Sequence, residues 1–99
     1  MPLSTQQVRF LRGLTHQLHP LVTVSDKGLS ENVLAELEAS FAKHELIKVK
    51  LRGERAQRKQ WVIEIEQLPG VERIHVIGQV ACFYRRNSKK PAIALPGNA

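Results

Sequence analysis

Six cationic side chains, Lys48, Lys50, Arg52, Arg55, Arg58 and Lys59, fall within a dozen residues that hold a single acid, Glu54. Affinity for a phosphate chain grows with the number of counterions that clustered cations displace, so this stretch can hold a polyanion more firmly than dispersed charges would. Arg85 and Arg86, followed by Lys89 and Lys90, form a second cluster whose planar guanidinium groups suit phosphate oxygens. A third candidate is Ser25-Asp26-Lys27-Gly28, set between a strand and a helix start, where free backbone N–H groups and the helix dipole favour an anion and Lys27 adds a charge. A solvated basic face and a simple turn are the plainer explanations of these features.

Acid-base or nucleophilic chemistry would have to come from His16, His19, His44, His75 or Cys82. Each has an ordinary structural role at a helix end or along a strand. The chain has no H-E-x-x-H, no C-x-x-C and no Walker-type glycine loop, so no metal site, cofactor or catalytic residue is assigned. An enzyme is not expected, a ribonuclease being the nearest catalytic alternative.

The whole chain agrees with a polyanion partner. Lys and Arg number 15 against 9 Asp and Glu, a formal charge of +6, in 99 residues that are 42% hydrophobic. That length supports one core, hence a single domain over 1–96 with a mobile end at 97–99. No apolar run reaches the ~18 to 20 residues of a membrane span. The start, Met1 to Gln7, lacks the basic and apolar stretches of a secretory signal, and lone Cys82 cannot form an internal disulfide. A monomer in the cytoplasm is expected, with nucleic acid as partner and neither a membrane nor a small-molecule substrate.

Elements that could position these residues follow from the pattern. Ser4 and Gln7 have capping-box spacing, and Val8, Leu11, Thr15 and Leu18, widened by Phe10 and Leu14, make a helical stripe that Gly13 would weaken or end. Residues 21 to 24 read as a strand after Pro20. Ser30 and Glu31 start a second helix with Val33, Leu34, Leu37 and Phe41 inward, while Glu31, Glu38 and Glu45 recur every seven residues as an acidic face. Docking of another protein on that face is the non-RNA alternative. Ile47, Val49 and Leu51 alternate with Lys48, Lys50 and Arg52, a strand with one basic face. Residues 54 to 68 suit a third helix. Ile74, Val76, Val80, Cys82 and Tyr84 fit two strands joined at Gly78, with Tyr84 read as core in preference to base stacking, and His75 facing outward. Ile93 and Leu95 could add a short strand. The order is α-β-α-β-α-β-β.

Taken together, residues 11 to 16 (Leu-Arg-Gly-Leu-Thr-His), the strand-loop-helix from Val24 to Glu38, residues 44 to 50 (His-Glu-Leu-Ile-Lys-Val-Lys), and Val76 to Gln79 with Tyr84 and Arg85 resemble the CRM domain, named for chloroplast RNA splicing and ribosome maturation. The short form is similar to the bacterial YhbY branch, from about Leu3 to Leu95. The resemblance implies an α/β fold with a four-stranded mixed sheet packed with helices, similar to the C-terminal domain of translation initiation factor 3. It also implies non-catalytic binding of ribosomal RNA in precursors of the large ribosomal subunit. The family's G-x-x-G loop falls on Ser25, Asp26, Lys27 and Gly28, where only the second glycine matches. The expected RNA-binding set is that loop with Lys48, Lys50, Arg52, Arg55, Arg58, Lys59, Arg85 and Arg86.

Overall fold

Ser4 opens the first helix in the computed structural model, which describes residues 3–97. Its hydroxyl accepts from the Gln7 N–H at 3.1 Å, while the Gln7 side-chain carbonyl accepts the Ser4 N–H at 3.0 Å. Two amides that a helix start leaves free are thereby satisfied reciprocally. This helix, α1, is Thr5–Thr15 and runs straight through Gly13. Its buried stripe is narrower than the spacing suggests, for Leu11 and Thr15 are buried whereas Phe10 and Leu14 stay exposed.

The remaining elements are β1 (Pro20–Val24), α2 (Glu31–Lys43), β2 (Leu46–Leu51), α3 (Arg55–Glu66), β3 (Val71–Ile77) and β4 (Val80–Arg85), in the order that the periodicity predicts. The sheet order is β1-β2-β4-β3, with β1 parallel to β2 and the other pairs antiparallel. Parallel neighbours need a long crossover, which α2 provides. β3 and β4 are joined by Gly78 and Gln79 alone, and Gly78 takes the positive φ (54°) that so short a hairpin asks of its first residue.

Side-chain alternation along β2 divides the core in two. Ile47, Val49 and Leu51 join Phe41, Trp61, Phe83 and others beneath α2 and α3. Leu46 points the other way, into a smaller cluster with Leu11, Ile74, Cys82 and Tyr84. Tyr84 is therefore core, as its alternation implies. Each fully buried aliphatic side chain stabilises the fold by roughly 1.5 to 3 kcal/mol, so Leu11 alone is a substantial tether for α1.

Three expectations are corrected. Ile93 and Leu95 do pack on the smaller cluster, but no strand follows β4 among the described residues. What holds that segment is Glu45, which is 3% exposed instead of lying on an acidic helix face. It lies just beyond α2, and its carboxylate accepts the backbone N–H groups of Asn87, Ala92 and Ile93, each at 2.7 Å. Finally, β3 is irregular between Arg73 and His75: Arg73 pairs with Phe83 and His75 with Cys82. The extra residue breaks the alternation, so Ile74 and Val76 do not share a face and His75 is half-buried beside the α1 layer. The expected mobile end falls, for residues 98 and 99, outside the described residues.

Candidate nucleic-acid interface

Strand direction decides which cations can act together. β1 and β2 are parallel and end side by side at Val24 and Leu51, so loop 25 to 28 and the turn from Arg52 to Glu54 leave the same end of the sheet. The Arg52 N–H donates to the Val24 carbonyl at 2.7 Å, and the Leu51 N–H donates to the Gln79 carbonyl at 2.7 Å. The β3–β4 hairpin thus lies at that end too. Both α2 and α3 start there, so their N-terminal dipoles add positive potential beside Lys27, Arg52, Arg55, Arg58 and Lys59.

Loop 25 to 28 is a tight turn in which the Gly28 N–H donates to the Ser25 carbonyl at 2.7 Å. Asp26 and Lys27 are its exposed central residues. Gly28 has φ of 61°, a conformation that a side chain disfavours, and a Cβ there would come within 3.2 Å of the Trp61 indole nitrogen. Ser25, by contrast, has no positive φ. This explains the half-matched loop: the second position requires glycine, whereas the backbone at the first accepts serine without strain.

Arg55, Arg58 and Lys59 line a 550 Å³ cleft between α3 and the end of β3, together with Val62, Ile63, Arg73, Val76 and Gly78. Arg58 donates to the Gly53 carbonyl at 2.7 Å, and Arg73 pairs with Glu66 at 2.5 Å. Arg73, Ile63 and Val76 line the cleft without belonging to the expected set. The i,i+2 spacing of Val71 and Arg73 places both on the helix-covered face, but the later irregularity that brings Val76 to the same cleft has no signal in residue types.

Lys48 and Lys50 occupy the opposite face of the sheet, because they alternate with Ile47, Val49 and Leu51. Lys50 pairs with Val80 at the loop end, whereas Lys48 pairs with Cys82 farther in. Lys48 lines a smaller recess with Thr15, His16 and His75. Partial burial, with help from Arg12, His16 and Lys48, pushes the His75 imidazole below its ordinary range. Burial pushes the Cys82 thiol up, away from the nucleophilic thiolate.

Arg85 and Arg86, expected to extend this surface, are placed apart from it. Both lie at the far end of β4, roughly 17 Å of extended strand from Val80. Arg85 is also occupied: its guanidinium donates to Glu38 at 2.6 and 3.0 Å and to the Pro69 carbonyl at 2.9 Å, and it sits 4.9 Å from the Phe41 ring centre. Arg86 stays exposed near Lys89 and Lys90. Among the described residues, Lys27, Lys48, Lys50, Arg52, Arg55, Arg58 and Lys59 form no ion pair with a carboxylate.

No helix among the described residues is long and apolar enough to cross a membrane. The chain is 42% identical to a Haemophilus influenzae protein named an RNA-binding protein, over 95% of both chains. It is 39% identical to a Pseudomonas aeruginosa protein named a probable RNA-binding protein, over 90% of this chain and 86% of that one. Its fold is similar to the solution structure of a hypothetical Staphylococcus aureus protein, itself described only as a candidate RNA-binding protein. That match has a TM-score of 0.81 and 27% identity, and covers 96% of this chain and 100% of the other. The family model for the CRS1 / YhbY (CRM) domain matches residues 3–85, and with these relatives it shows that the chain belongs to that family.

Proposed function

We propose that this protein binds folded RNA without catalysing a reaction, and that the RNA is ribosomal, within precursors of the large subunit. One observation carries the binding reading. Lys27, Arg52, Arg55, Arg58 and Lys59 gather around one end of the sheet, with Lys50 on the adjoining face, and none is neutralised by a carboxylate among the described residues. Such a surface attracts a phosphate backbone through counterion release and orients it through the turn at residues 25 to 28. The names of the Haemophilus and Pseudomonas relatives support RNA as the polyanion. The likeness to ribosome-maturation domains supports the ribosomal target. In this proposal a single copy acts in the cytoplasm; the unpaired, buried Cys82 suits a reducing compartment.

Docking of a partner on an acidic α2 face is less well supported, since Glu45 is buried and Glu38 is paired with Arg85. The test is RNA binding by the double variant Arg55→Glu with Lys59→Glu. Both side chains are exposed and lie in the first half of α3, where acids suit the helix dipole, so the fold should persist. If four phosphates are neutralised, the wild-type slope of log affinity against log salt should be about −3, at roughly −0.7 per contact for single-stranded segments of the RNA. The variant should lose affinity and flatten that slope. An unchanged slope and affinity would refute the site.

A further inference from the structure

The α3–β3 cleft contains features that phosphate attraction alone does not require. Ile63 on α3 and Val76 on β3 are left 40% and 42% exposed, and both line this cavity among four cations. What sets these two apart from the other exposed aliphatic side chains is that they wall one recess together with cations, the mix of apolar lining and a few polar groups found in ligand pockets. The cations themselves fall into two kinds. Arg58 and Arg73 are held in place by the Gly53 carbonyl and the Glu66 carboxylate, whereas Arg55 and Lys59 have no carboxylate partner among the described residues. Fixed guanidinium planes suit stacking, and free cations suit phosphate oxygens. The 550 Å³ volume lies within the roughly 300 to 1,000 Å³ typical of small-ligand sites.

We infer that this cleft receives one unpaired nucleotide of the bound RNA, its base against Ile63 and Val76 and its phosphates at Arg55 and Lys59. The inference rests on the RNA-binding reading above and adds a preference to it. A base in a duplex is stacked and paired, so it cannot enter; a base splayed from a loop or bulge can. The cationic rim holds any RNA, and the apolar walls distinguish unpaired from paired RNA.

The test follows the methyl resonances of Ile63 and Val76 while the intact protein is titrated with a short single-stranded oligoadenylate, an RNA duplex of similar charge, or inorganic phosphate. The oligoadenylate should move both methyl groups saturably, and the other two should leave them nearly still. In parallel, Ile63→Ser with Val76→Ser should weaken oligoadenylate binding about five- to tenfold and duplex binding less than twofold. Equal losses for both RNAs, or methyl shifts that phosphate reproduces, would overturn the nucleotide pocket while leaving RNA binding intact. Failure of the wild-type protein to bind either RNA would overturn both readings. The wild-type methyl shifts decide the matter even if the double variant proves unstable.

Discussion

The Trp61 indole closes on the Gly53 backbone so tightly that a Cβ at residue 53 would lie 2.6 Å from Cη2 and 2.7 Å from Cζ3. The other side of the same indole meets Gly28, so one side chain braces both the turn at residues 25 to 28 and the start of α3. Gly53→Ala should therefore force the ring aside and destabilise the fold by about 1 to 3 kcal/mol, the usual range for overpacking a tight core. Urea unfolding followed by the fluorescence of Trp61, the chain's one tryptophan, measures this directly. An unshifted midpoint would show that the contact is loose.

The two ends of loop 25 to 28 should respond unequally. Gly28→Ala meets both a positive φ and the indole, and should cost about 1 kcal/mol or more. Ser25→Gly relieves no strain, so the folded structure should tolerate it with only the few tenths of a kcal/mol that added chain entropy costs. Thermal melts of the two variants side by side check the asymmetry.

Glu45→Gln replaces a carboxylate oxygen with an amide nitrogen where three backbone N–H groups converge. A carboxylate can accept all three; an amide can offer only one oxygen, and its NH₂ opposes a donor. The loss should be about 1 to 3 kcal/mol, concentrated in the segment after β4. Hydrogen exchange should speed up at Asn87, Ala92 and Ile93 while amides in β2 remain protected. Uniform loosening of the molecule would argue against so local a clamp.

Arg85→Ala separates folding from binding. It removes the Glu38 pair, the stacking on Phe41 and the bond to Pro69, and should destabilise by about 1 to 2 kcal/mol. RNA affinity of the folded variant should stay within about twofold, since Arg85 lies at the opposite end of the sheet from the proposed interface. A large affinity loss without a stability loss would return Arg85 to the interface.

The same pair has a pH signature. The hydrogen bond from Arg85 outweighs desolvation and holds the Glu38 carboxyl below its ordinary range. Because the folded value is the lower one, the pair's contribution is complete above the unfolded glutamate value and fades as pH falls through the folded value. Glu38 is half-exposed, so the effect is at most about 1 kcal/mol after screening. Stability measured against pH should therefore lose a shallow step on the acid side in Glu38→Gln, and an acid limb identical to wild type would count against the pair.

Residue types and spacing alone determined the order of the seven elements, the start of α1 at Ser4, the inward face of β2 and the concentration of charge between Lys48 and Lys59. These are legible because capping, alternation and helical period act over a few neighbours along the chain. Which cations share a surface was settled only by strand pairing. Parallel β1 and β2 bring Lys27 to Arg52, while antiparallel β4 carries Arg85 and Arg86 to the opposite end. The roles of Glu45 and Arg73 are likewise illegible in the sequence, because a carboxylate's partners 42 to 48 residues away and an irregular strand register depend on three-dimensional contacts that no local pattern encodes.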